Sequence, residues 1–297
     1  MARVSRLELT ERDQKVLQLC HDYIYVDGNY LKEYIFIFPE ATEEKVNSIV
    51  NLRLKKLVDH GYLERFLRVT TSYAQRDTIY TLGQKGEEYM LMMHGYCDYN
   101  SSWRSSLKIW YNHALSILRI TEGIRRQLED HPIYTVVEFI PEVRAFFQYG
   151  EGKKDVVRPD GLIVIGGRED KRNNICLFLE AENSIAKYRA FKDKISRYEA
   201  LLASGYKIKN YEDKVVFEEP IGYYIPLFVS SDRIRPELIV EKLTRYKEET
   251  ATDPNSIYKN QSILVTTQAA LIEDCFGSIF TNVSKEDPTE KIQLLKS

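Results

Sequence analysis

Long apolar runs are missing from this sequence. Nowhere do about eighteen apolar residues follow one another, which excludes an ordinary transmembrane helix. The opening "MARVSRLELTERDQ" also lacks the apolar core of a signal peptide, so the chain is expected in the cytoplasm. Cysteine is sparse: Cys20, Cys97, Cys176 and Cys275 lie far apart, with no CxxC pair. That spacing argues against a zinc site or a disulfide framework and predicts buried, reduced thiols. An excess of charge is absent too, since 42 Lys and Arg against 44 Asp and Glu give a formal net charge of -2. The whole chain is therefore no polycation, and nucleic-acid binding must come from local patches. The glycines of "GLIVIGG" make no dinucleotide fingerprint, because GxGxxG is missing and no helix follows at once. The five histidines are scattered, and the abundant tyrosines form no evident stacking platform for bases.

What is present begins with helical periodicity. "LTERDQKVLQLCHDYIYV" predicts a helix capped by Thr10, with Glu11 and Asp13 at the positive end of its dipole. "DGNYLKEYIF" predicts a short second helix opening near Asp27. A third is expected after a Thr42 cap, with Val46, Ile49, Val50, Leu54, Leu57 and Val58 on its apolar face and Gly61 as its stop. The period then changes to two: "YLERFLRV" and "RDTIYTL" read as a hairpin around "TTSYAQ". Three helices and a basic hairpin are the order of a winged helix-turn-helix, whose third helix would enter the major groove. On that reading Lys45, Asn47, Ser48, Asn51 and Lys55 face the DNA. Of these, Asn47, Asn51 and Lys55 would meet bases, while Arg65, Arg68 and Arg76 would meet phosphates. A solvated helix face in an interaction-only winged helix is the alternative.

"YMLMMHGYCDYNSS" reads as neither strand nor helix and marks a boundary, placing a winged-helix domain at 1–95 and a second domain at 96–297. A long helix from Trp103 to about Leu128 is expected to lead the second domain. Strands are expected at "IYTVVEFI", "VVRPDGLIVI", "NICLFLEAE", "YYIPLFVSS" and "SILVTT", with helices at "SIAKYRAFKDKISRYEALL" and "RPELIVEKLTRY" and a short one near Gln268. The fold class is thus α/β or α+β, with a mixed sheet.

Acids stand where two of those strands can meet. Asp160 opens one, and Glu180 and Glu182, two residues apart, share a face at the end of the next. Like charges so placed cost stability unless a cation lies between them. Three carboxylates suit Mg²⁺ or Mn²⁺, which take hard oxygen ligands and leave room for water and a phosphate. Asp160 is equally a turn residue after Pro159, and Glu180 and Glu182 equally a solvated strand end. Glu138 on the preceding strand is a weaker candidate acid. The helix beyond carries Lys187, Arg189, Lys192, Lys194 and Arg197, a basic face that would hold a nucleic-acid backbone.

Pro159-Asp160 followed by a strand ending Glu180-Ala181-Glu182 resembles the PD-(D/E)xK nuclease superfamily, which has a restriction-endonuclease-like domain. The resemblance implies that Asp160 and Glu180 are metal ligands. It also implies that Glu182 stands where a lysine is usual, as in some restriction endonucleases, with Lys187 or Lys194 as substitutes for the missing ammonium. The ordered set of a winged helix, "YNHALSI", "RPDG", "LEAE" and "DKISRY" is similar to the replication-relaxation family over about residues 8–205. That family is tied to plasmids and mobile elements and related to MobC-type relaxases, which nick DNA without the usual tyrosine. The resemblance implies a metal-dependent DNA nickase acting on duplex DNA of a plasmid-origin type, in mobilisation or replication. Its partners would be mobilisation or replication proteins or a second copy of the chain, with no membrane. A non-catalytic, sequence-specific regulator of plasmid replication or transcription, with an inert nuclease-like domain, is the second reading.

Overall fold

The structure is a computed structural model that describes residues 7–68, 78–169, 173–184, 186–204, 221–254 and 256–295. The chain divides into two compact units, residues 1–118 and 119–297.

In the first unit, α1 (Glu11–Tyr23) starts with a reciprocal cap: Thr10 accepts from the Asp13 amide, and the Asp13 side chain accepts from the Thr10 amide. Asp13 is fully buried and is also held by Arg53, whose guanidinium donates to both its oxygens. Burial pushes the Asp13 carboxyl up, but Arg53 and Thr10 outweigh it, and the group ionises below its usual range. β1 (Val26–Asp27) follows, and Asp27 caps the three-residue helix α2 (Gly28–Tyr30) by accepting from the Tyr30 amide. A π-helical turn, Leu31–Ile35, completes the expected second helix. α3 (Glu43–Asp59) is capped by Thr42 and buries Val50, Leu54 and Leu57. The chain reverses at Gly61, whose φ of 77° suits a residue without a side chain. β2 (Leu63–Leu67) then pairs antiparallel with β3 (Thr78–Leu82) in a three-stranded sheet ordered β1-β3-β2. The hairpin turn and Arg76 lie outside the described residues.

Two expectations fail next. "YMLMMH" is helical: it forms the end of α4 (Gln84–His94), which stops at left-handed Gly95. The segment hid its helix because Leu91, Met92 and Met93 are all more than half exposed, which erases any apolar stripe. The helix expected from Trp103 starts later, as α5 (Tyr111–Glu129); Ser101–Trp103 is a 3₁₀ turn. Two further corrections are local. Ile49 of α3 is 39% exposed where the periodicity put it on the apolar face. Cys97 is half-buried, unlike Cys20, Cys176 and Cys275, although all four are free thiols.

The second unit is built on a seven-stranded mixed sheet. In chain order its strands are β4 (Tyr134–Pro141), β7 (Gly161–Gly167), β8 (Asn174–Glu182), β9 (Ile221–Ser230), β10 (Leu264–Thr267), β11 (Phe280–Asn282) and β12 (Lys291–Ile292), and the spatial order is β12-β11-β10-β9-β8-β7-β4. β4-β7-β8 run antiparallel, while β8-β9-β10 are parallel. A separate ribbon, β5 (Phe147–Gln148) with β6 (Val156–Val157), precedes β7. Central β8 reads as an almost unbroken apolar run because both its faces are buried. One face, with Val164, Phe178 and Phe228, packs under α6 (Tyr188–Ser204) and α7 (Pro236–Glu249) through Phe191, Ile195, Tyr198, Leu201, Ile239 and Leu243. Leu201 of α6 is buried in this core, and Leu202 packs against it partly buried. Ile185 lies outside the described residues.

Candidate functional site

α6 lies across the sheet face that carries the acids. Alternation along β8 puts Phe178, Glu180 and Glu182 on that face, and Phe178 packs against Tyr198. Lys194 and Tyr198 are four apart on α6 and so stand one above the other, facing β8. The Lys194 Nζ donates to Glu180 Oε2 at 2.7 Å and to Glu182 Oε1 at 2.8 Å. The Tyr198 hydroxyl donates to Glu180 Oε1. The cation between these acids is thus an ammonium from the neighbouring helix. Lys187, the other lysine expected there, is exposed just ahead of α6. Glu182, expected to face a metal, holds the far side of Lys194.

Asp160 comes in from β7. Gly161 pairs with Leu179, so Asp160 lies across from Glu180 and on the same side of the antiparallel ladder. Its amide donates to the Leu179 carbonyl at 2.9 Å, and its Oδ2 accepts from the Ala181 amide at 2.7 Å. The side chain therefore continues the ladder one bond beyond the end of β7, accepting from the Ala181 N–H. A second acid joins it: a Glu142 carboxylate oxygen lies within 4.8 Å of one from Asp160. Glu142 follows β4 immediately and was missed in the sequence, where Glu138 drew notice instead. Glu138 is half-buried, and burial raises its carboxyl against the opposing charge of Arg144.

Burial dominates the electrostatics. Glu180 is 2% exposed. Its carboxyl is pushed up to about 7, by burial first; the Lys194 charge opposes this and the Asp160 charge adds to it. For Lys194, burial pulls downward, but the charges of Glu180 and Glu182 and the hydrogen bonds to them win and hold the ammonium above its usual range. Burial and Glu180 together lift the Tyr198 phenol well above its ordinary value, so it remains a donor. The pair forms the floor of an open pocket of about 520 Å³. Its rim carries Lys153, Lys154, Arg158, Asp193 and Arg197. Lys153 and Lys154 sit in the turn of the β5-β6 ribbon, and a strand-by-strand reading gives no sign that this turn reaches α6.

In the first unit, Lys45, Ser48, Asn51, Lys55 and Arg65 are exposed, whereas Asn47 and Arg68 are half-buried. Lys55 pairs with Asp59 at 2.5 Å, one helical turn on. The Arg68 guanidinium lies 5.7 Å from the centroid of the Tyr111 ring.

Comparison with known sequences places residues 17–216 within the pattern of a family described as replication-relaxation. No curated protein matches. Two solved structures of the restriction endonuclease FokI, the second bound to DNA, are similar at 15% and 16% identity with TM-scores of 0.33 and 0.27. Each comparison covers 90% of this chain and 45% of the endonuclease chain, so this chain spans less than half of that protein's length.

Proposed function

This chain belongs to the replication-relaxation family, and on that premise we propose that it is a DNA-processing protein of a plasmid or mobile element. The first unit would bind duplex DNA, and the second would nick it with a divalent metal. The observation that carries the reading is Asp160 lying across the ladder from Glu180, whose carboxylate lines a basic pocket and holds the Lys194 ammonium.

The donor set suits Mg²⁺ or Mn²⁺: Asp160, Glu180 and the nearby Glu142 are all carboxylates, and ligands around such an ion stand roughly 3–4 Å apart at bond lengths of about 2.1 Å. The Glu142 and Asp160 oxygens already lie within 4.8 Å of each other. Bound there, the ion would polarise the phosphodiester and acidify an attacking water. The chain's own residues do the rest. Lys153, Lys154, Arg158 and Arg197 hold the backbone phosphates electrostatically. Lys194, steadied by Glu182, presents an ammonium to the phosphate oxygens, the part a lysine in place of Glu182 would otherwise play. Tyr198 fixes the carboxylate plane of Glu180.

Supercoiled plasmid incubated with Mg²⁺ or Mn²⁺ tests this. The wild-type chain is expected to yield open circles, and Asp160→Ala to bind DNA but leave it intact. A second reading has an observation of its own: Lys194 already neutralises Glu180 and Glu182, and the Ala181 amide engages Asp160. On that reading the second unit is an inert nuclease-like scaffold and the protein is a regulator of replication or transcription. Footprints without cleavage in either metal would favour it.

A further inference from the structure

The outward face of α3 bears two large apolar side chains that packing does not account for. Leu52 is 57% exposed and Ile49 is 39% exposed. At 3.6 residues per turn, Leu52 lies opposite the buried stripe of Val50, Leu54 and Leu57. It is centred in a row made by Lys45, Ser48 and Lys55, and Ile49, three residues before it, is its neighbour on the surface. A lone exposed leucine is ordinary. Here two adjacent apolar groups are framed by Lys45, Lys55 and Lys56, with exposed Asn51 on the opposite flank. Three lysines around an apolar centre, of which Lys55 is paired with Asp59, complement a surface that is anionic at its edges and apolar at one point. In the major groove of DNA the C5 methyl of thymine is that point, and the adenine edge is the natural partner of an asparagine.

We propose that α3 reads thymine methyl groups through Leu52 and Ile49, so that the preferred duplex carries A·T pairs at the centre of the helix's footprint. This rests on the reading of the first unit as the DNA-binding unit. Lys45 and Lys56 then serve as phosphate contacts, and Lys55 has to exchange Asp59 for a phosphate as the helix docks.

The test selects binding sites from a pool of random duplexes with the full chain and then replaces each thymine of the selected site by deoxyuridine, which removes only the methyl. Burying one such group is worth a factor of about four in affinity. Wild type is expected to lose about fourfold at one or two adjacent positions. Leu52→Ala or Ile49→Ala is expected to bind the thymine and deoxyuridine duplexes equally at one of them. Both side chains are substantially exposed, so the variants should fold, and a denaturation curve matching wild type confirms it. Site enrichment with no methyl effect at any position would overturn the inference and leave the DNA-binding reading standing. No enrichment of any duplex would remove that reading and the inference with it. A Leu52→Ala variant that keeps the methyl effect but dissociates a dimer in sedimentation would reassign the patch to a second copy of the chain.

Discussion

Removing the Lys194 ammonium separates its structural role from its chemical one. Breaking a fully buried ion pair costs about 3–5 kcal/mol. The Lys194 side chain is 37% exposed, so solvent screening brings the expected cost of Lys194→Met to about 1–2 kcal/mol. Its melting temperature should fall in EDTA. Mn²⁺ affinity measured by calorimetry should rise, because the tethered cation no longer competes for Glu180, while nicking is lost. Weaker Mn²⁺ binding by this variant would show that Lys194 supports the metal site. Glu180 makes a pH prediction of its own. Its folded carboxyl lies at about 7, above its ordinary value of 4.5. The neutral form is thus the one the fold prefers, and this contribution is complete below about pH 4.5 and lost as pH rises through about 7. In EDTA, wild type should lose on the order of 3 kcal/mol relative to Glu180→Gln between pH 5 and 8. A metal takes the ionised carboxylate, so Mn²⁺ affinity should climb over the same window. Parallel stability curves for the two proteins would refute this account of Glu180.

Elements place these residues, and their legibility in the sequence followed the range of the forces that set them. The caps at Thr10, Asp27 and Thr42 and the reversal at Gly61 were readable because each is settled within about four residues. α4 was not readable, because its register is set by contact and not by an apolar stripe. Gly86 lies so close to the hairpin that a Cβ there would fall 2.2 Å from the Tyr62 carbonyl oxygen. Gly86→Ala should therefore destabilise the first unit by about 1–3 kcal/mol in chemical denaturation, despite alanine's better helix propensity. A neutral or stabilising result would mean that α4 sits less tightly on the hairpin. In the site, Asp160, Glu180 and Glu182 carried a local signal of acid spacing, whereas Lys194 was named as a site residue, beside Lys187, only through the family resemblance. Glu142 and the Lys153-Lys154 turn carried none, since only the path of β4 and of the β5-β6 ribbon brings them near.

At the scale of the whole molecule, the proposed DNA binding belongs to one unit and the proposed nicking to the other, and they should fail separately. Lys153→Glu with Lys154→Glu reverses charge at the pocket rim, which should slow nicking and flatten its salt dependence while site-specific footprints persist. Lys45→Ala with Arg65→Ala should weaken binding to all duplexes while metal affinity is unchanged. The most direct measurement is conversion of supercoiled plasmid to open circles in Mn²⁺ by wild type and by Asp160→Ala, with binding of both followed by gel shift. The account predicts open circles from wild type alone and equal binding by both. Equal conversion by the two proteins, or binding by wild type with no conversion in Mn²⁺ or Mg²⁺, would contradict it.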